Sequence, residues 1–198
     1  MLMSIPVLTA LLAESLRDPA AAAARITRFE LSRDALWTAL ALVCTLSVLL
    51  VGLLRLGAPE GVGGPAFDLA PLTYAALLFA NLVVFAFAIH LTGRAMGGTG
   101  SFDGALITVV WMQFVLLCMQ MVHAVLALVL PLLAGVFALG ATLYALWVLL
   151  HFVRELHGFA SLGRAGLMVL MAFLGIAVGL TFILTLIGVG VPGDMQNV

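Results

Sequence analysis

Long apolar stretches separated by short polar ones organise this chain. A helix needs about 20 apolar residues to cross roughly 30 Å of hydrocarbon. Five stretches reach that length, at 35–56, 69–91, 105–128, 132–153 and 165–189. Between 105 and 153 no residue is charged. A single helix over that interval would extend about 70 Å at 1.5 Å per residue, far more than a bilayer needs, so the chain must turn back. Pro131 and Gly135, near its middle, supply the break. The third and fourth stretches are therefore predicted to form a tight helical hairpin with a short apolar turn.

Composition names the solvent. Of 198 residues, 65% are hydrophobic and 9% charged, against roughly 25% charged in a soluble domain. A water-soluble fold of this size could not hide so much apolar surface. The fold class follows: an all-α integral membrane protein, five transmembrane helices in one bundle, with an N-terminal amphipathic segment. The expected organisation is 1–34 as that segment, 35–191 as the membrane domain and 192–198 as a short external tail. A net charge of −1 excludes the basic field of a nucleic-acid binder. All eight cationic residues are arginine, which with the Ala, Leu, Gly and Val content suggests a GC-rich bacterial genome and hence an inner (cytoplasmic) membrane. Cys44 and Cys118 fall inside apolar runs and read as small packing residues, not a disulfide framework.

The arginines set an expected orientation. Arg17, Arg25, Arg28 and Arg33 precede the first span, Arg94 follows the second, and Arg154 and Arg164 lie between the fourth and fifth. With five spans all seven share one side, and Arg55 alone takes the other. By the positive-inside rule the N-terminus is cytoplasmic and the C-terminus periplasmic.

The first 34 residues read as two short helices. Met1 to Leu12 carries no basic residue, which argues against a signal peptide. Residues 7–16 are mostly apolar, Asp18-Pro19 marks a break at a helix start, and 20–29 resumes. Arg25 and Arg28 share one face there, and Ile26 and Phe29 another. Such a segment suits the inner leaflet, with arginine on lipid phosphate. Ser32 and Asp34 are placed to cap the first span.

Two polar segments carry candidate chemistry. Residues 92–104 read TGRAMGGTGSFDG. The glycines suggest a phosphate cradle, but the chain has no lysine for a Walker loop and no strand for a dinucleotide turn. The plain reading is a re-entry turn whose Ser101 or Asp103 caps the third span; the functional one is an anionic-headgroup or partner site built from Arg94 and exposed amides. Residues 151–159 read HFVRELHGF. His151 and Glu155 share a helix face, yet His157 points elsewhere and no HExxH is present, so a metal site is not expected. Arg and His at a helix C-terminus with Gly158 at C′ account for the segment.

Topology gathers His90, Arg94, Gly98, Gly100, Ser101, Phe102, Arg154, Glu155, His157 and Gly158 at the cytoplasmic surface, the candidate lipid or partner site. Within the membrane, Asn81, Gln113, Gln120 and His123 form a candidate polar stripe, with Gln113 and Gln120 on one side of the third span. Interhelical hydrogen bonding explains such residues; a solute path is the sharper alternative. Gly175 and Gly179 make a GxxxG in the fifth span, which leaves self-association open. No GxSxG, acidic pair or Ser/His arrangement supports catalysis, and no cofactor is expected.

The ordered set of LRDPAAAA, five spans, GGTGSF before the third span and ELHGF after the fourth resembles the Yip family (Ypt/Rab-interacting membrane proteins, the Yip/Yif domain) in a short bacterial form. The resemblance spans nearly the whole chain and implies five spans with a cytoplasmic N-terminus. It marks Glu155, His157, Gly158 and Gly98 to Phe102 as family-like positions. Eukaryotic relatives are associated with Rab GTPases, vesicle traffic and membrane shaping, but this chain lacks their long soluble N-terminal region. The resulting expectation is a non-enzymatic protein that organises membrane or scaffolds a membrane or cytoplasmic protein partner, with a small transporter or transporter subunit as the alternative.

Overall fold

A computed structural model describes residues 5–29, 31–57 and 69–186. Among them are seven helices and no strand: α1 (Ile5–Arg17), α2 (Pro19–Ile26), α3 (Arg33–Gly57), α4 (Pro71–Ala95), α5 (Phe102–Val129), α6 (Pro131–His157) and α7 (Leu162–Leu186). The last five are long and apolar enough to cross a membrane. Each contains most of a stretch marked by hydropathy, and α4 and α6 run on past it to carry Arg94 and His157 inside the helix. The expected external tail and residues 187–189 of the fifth stretch lie outside the described residues.

The hairpin between α5 and α6 turns on one residue. Leu130 (φ −141°, ψ 74°) ends one helix and Pro131 begins the next, where a missing N–H costs nothing. Gly135 takes no part; it lies inside α6. Helix starts elsewhere use side chains: Ser32 Oγ accepts from the Ala35 amide at 3.3 Å, and Ser101 Oγ from Gly104 at 3.0 Å. Asp34 is not a cap but a first-turn residue of α3. Asp103, likewise in a first turn, pairs with Arg33 at 3.4 Å; both are well exposed, so the pair adds little.

Burial is uneven along the bundle. α3 buries Leu36, Leu40, Val43, Cys44 and Ser47, all within its first 15 residues. α4 buries Leu82, Ala86, Ile89 and Gly93, from its middle to its C-terminal end. α7 buries Ala165, Met168, Val169 and Ala172, again in its first half. Central α5 is buried almost continuously from Ala105 to Leu117. These segments lie at one end of the bundle, which also holds the α4–α5 and α6–α7 connections. Towards the other end, Ala124 and Ala134 are the buried residues of the α5–α6 hairpin. Leucines there, such as Leu128, Leu132 and Leu139, are exposed to what would be lipid, which costs nothing in hydrocarbon.

α1 and α2 are not a loose surface segment. They form a short helical hairpin packed against α5 and α6. Asp18 caps α2 by accepting from the Ala21 amide at 3.1 Å, and Pro19 opens it. Leu11, Ala22, Ala23 and Ile26 are fully or almost fully buried. Phe29 does not join Ile26 on one face; it lies beyond the end of α2 and is exposed. Arg25 turns back to Glu14 at 2.7 Å. Trp111 Nε1 donates to Ser15 Oγ at 2.9 Å in a buried contact, and the Tyr144 hydroxyl donates to the Leu16 carbonyl. Sequence periodicity saw the amphipathic faces but not that the apolar one would be spent on protein.

Candidate functional site, a knot of two helix ends

The family-like segments meet at the packed end. α4 and α6 finish there with the same hydrogen-bonded cap. In α4, Gly98 N–H bonds the Gly93 carbonyl at 2.8 Å and Gly97 N–H the Arg94 carbonyl at 3.0 Å. In α6, Phe159 N–H bonds the Arg154 carbonyl at 2.9 Å and Gly158 N–H the Glu155 carbonyl at 3.3 Å. Both are Schellman motifs, which need a left-handed residue at the turn. Gly97 (φ 81°) and Gly158 (φ 66°) supply it, a region where a Cβ is strained. Replacing Gly158 by alanine should cost about 1 kcal/mol, seen as a thermal midpoint in detergent about 2–4 °C lower.

The two caps dock through His157. Thr99 N–H donates to the His157 carbonyl at 3.2 Å, and the His157 ring, 2% exposed, enters a hollow made by glycines. A methyl added to Gly98 would sit 2.6 Å from His157 Nδ1, and one on Gly100 2.7 Å from Cε1. A methyl on Gly93 would overlap the ring outright. The glycine-rich loop forms a hollow, and an imidazole of the same chain, not a phosphate, fills it. Both ring nitrogens are buried without a hydrogen-bond partner; the Ile89 carbonyl is near the ring but outside hydrogen-bond geometry.

Other side chains brace the knot. His90 donates from Nδ1 to the Gly100 carbonyl at 3.2 Å, which fixes its tautomer, and lies edge-on to Phe102. Phe102 also meets Phe87, with ring centres 4.5 Å apart. The His157 ring stacks on Phe159 at 5.4 Å. Arg164, at the start of α7, donates to the Met96 carbonyl and lies 5.1 Å over the Phe159 ring. Sequence reasoning placed Arg164 at this surface without giving it a role. An arginine two residues into a helix, facing a helix C-terminal carbonyl, is the pattern that would have found it.

Of the candidate surface residues, His90, Gly98, Gly100, Ser101, Phe102, His157 and Gly158 are brought together by internal packing and capping. Arg94 is exposed, and Arg154 and Glu155 are half-buried beside the knot; none has a side-chain hydrogen bond among the described residues. The His151, Glu155 and His157 trio does not converge. His151 is buried and bonds its own helix, Nδ1 to the Trp147 carbonyl at 2.9 Å, and no group of three potential metal ligands occurs among the described residues.

The intramembrane stripe does not assemble either. Gln113 is buried and donates to Ser47 Oγ at 3.1 Å, tying α5 to α3. Gln120, two turns on, has left the packed region and is exposed, as is Asn81, while His123 is half-exposed. Periodicity put Gln113 and Gln120 on one side correctly in angle, but burial on α5 stops between them. The partners sequence reasoning missed are Ser15 and Ser47, which carried no signal beyond being serines in apolar helices.

No curated protein and no solved structure matches the chain. A family model does: the Yip1 domain matches residues 13–184, beginning inside α1 and ending near the end of α7, so that both glycine caps, the His157 cradle, α2 and the last turn of α1 lie within the matched region. The chain belongs to the Yip1 domain family.

Proposed function

We propose that this protein organises membrane without catalysing a reaction, in a bacterial inner membrane with the knot end cytoplasmic. The observation that supports this is the α1–α2 hairpin. α5 and α6, at 28 and 27 residues, extend about 40 Å, some 10 Å beyond a typical hydrocarbon core. The polar residues at the knot end put the excess there. Trp111, nine residues into α5, then lies near the hydrocarbon boundary, where Trp37, Tyr144 and Trp147 of the same half also suit an aromatic belt. The hairpin held by Trp111 and Tyr144 thus occupies the headgroup layer of one leaflet and adds helix area to that leaflet alone, a geometry that favours curvature. Arg17, Arg28 and Arg94, all exposed, would face anionic headgroups, each contributing about 1 kcal/mol near the surface.

A solute path has less support, because Gln113 is spent on Ser47 and Asn81 and Gln120 are exposed rather than lining an interior. The test is sorting. The full chain, reconstituted into a vesicle population of mixed sizes containing anionic lipid, should concentrate on the smallest vesicles. Equal surface density across sizes would sink the reading.

A further inference from the structure

An apolar groove of about 630 Å³ runs between α5 and α6, within the roughly 300–1,000 Å³ of small-molecule sites. Val115, Cys118 and Val122 form one wall and Tyr144, Ala141 and Phe137 the other, with Leu12 and Leu16 of α1 at one end. The wall residues pair in antiparallel order, so the groove starts at the tip of the α1–α2 hairpin and runs away from the knot into the hydrocarbon. Gly140 opens it: a methyl there meets nothing within 4 Å. This space is not a fault of packing in water, since a bilayer supplies apolar chains to any groove that opens into it.

The end of the groove formed by Leu12 and Leu16 adjoins a cationic residue in sequence. Tyr144 donates to the Leu16 carbonyl, and Arg17, the next residue, is exposed with no ion pair among the described residues. By contrast Arg25, also on the hairpin, is neutralised by Glu14 at 2.7 Å. An exposed, unpaired arginine next in sequence to a residue that lines an apolar slot complements one kind of molecule, an anionic phospholipid. We infer that the α5–α6 groove holds an acyl chain of a bound anionic phospholipid whose phosphate meets Arg17. The α1–α2 hairpin is then the end wall of a lipid site as well as a membrane insertion. This inference stands on the groove and does not require the curvature reading.

Native mass spectrometry of the full chain, exchanged into mixed vesicles of phosphatidylglycerol and phosphatidylethanolamine and then gently extracted, tests it. One phosphatidylglycerol per chain should survive extraction, preferred severalfold over phosphatidylethanolamine. Gly140→Leu should fill the slot and reduce bound lipid at least fivefold with thermal stability kept or raised. Arg17→Gln should keep a lipid but lose the preference. Should Gly140→Leu not fold, Cys118→Phe blocks the groove from its other wall. Lipid retained unchanged in the groove-filling variant overturns the inference, as does an unchanged preference in Arg17→Gln, or a lipid-free groove covered by a second copy in a purified dimer. Curvature sorting is read separately, so failure of either experiment leaves the other intact.

Discussion

Replacing Gly100 by alanine should destabilise the protein by about 1–3 kcal/mol, the ordinary cost of overpacking a filled interior. The new methyl would lie 2.7 Å from His157 Nδ1 and Cε1 and 2.9 Å from Leu156 Cγ. The ring has little room to retreat, since it stacks on Phe159 and its residue is fixed by the bond from Thr99 to its carbonyl. If the loop shifts instead, the His90 bond to the Gly100 carbonyl is strained, a further loss of about 1 kcal/mol. Thermal unfolding in detergent should show a midpoint lower by about 2–4 °C per kcal/mol.

A double-mutant cycle makes the cause explicit. His157→Ala empties the cradle and destabilises by itself, but Gly100→Ala added to it should then cost little. The coupling should exceed about 1 kcal/mol, beyond the 0.3–0.5 kcal/mol of independent sites. Additive effects would mean that the glycines do not serve His157. Unchanged stability in Gly100→Ala would return the loop to the other reading, a surface kept free for an anion or partner.

This cradle also marks the limit of what the sequence discloses. Five spans, a short apolar hairpin turn at Pro131 and the Gly158 cap are legible because each depends on residues adjacent in sequence, whereas the choice of Ser101 over Asp103 as cap and the exclusion of Gly135 from the turn are not. The pairing of His157 with Gly93, Gly98 and Gly100 joins segments about sixty residues apart, and no local rule connects them. Gly-rich loops suggest phosphate because backbone must approach a ligand; here the same freedom lets backbone approach a side chain. The differing burial along the polar stripe was illegible for a similar reason. Helical angle fixes which side Gln113 and Gln120 share, whereas burial depends on where neighbouring helices part, and that is set by the knot at one end.

Trp111→Ala should release the N-terminal hairpin while leaving the five spans assembled. Trp111 is 6% exposed, and truncating a buried tryptophan costs about 3–5 kcal/mol. Most of that loss should fall on docking, because the indole N–H is what meets Ser15, whose own hydroxyl already bonds the Leu11 carbonyl at 2.8 Å. α1 and α2 have 13 and 8 residues, too short to persist as isolated helices in water, so an undocked hairpin frays and its amides exchange. Hydrogen exchange over residues 5–26 should accelerate by about two orders of magnitude, at tenfold per 1.4 kcal/mol, with α7 little changed. Trp111→Phe keeps most of the packing and loses one hydrogen bond, about 1 kcal/mol, so its acceleration should stay near tenfold or below. Faster exchange spread evenly over all seven helices would instead make Trp111 a general core residue. In that case the hairpin would be held chiefly by Leu11, Ala22, Ala23 and Ile26, and membrane insertion at one leaflet would have to be tested by disrupting those contacts.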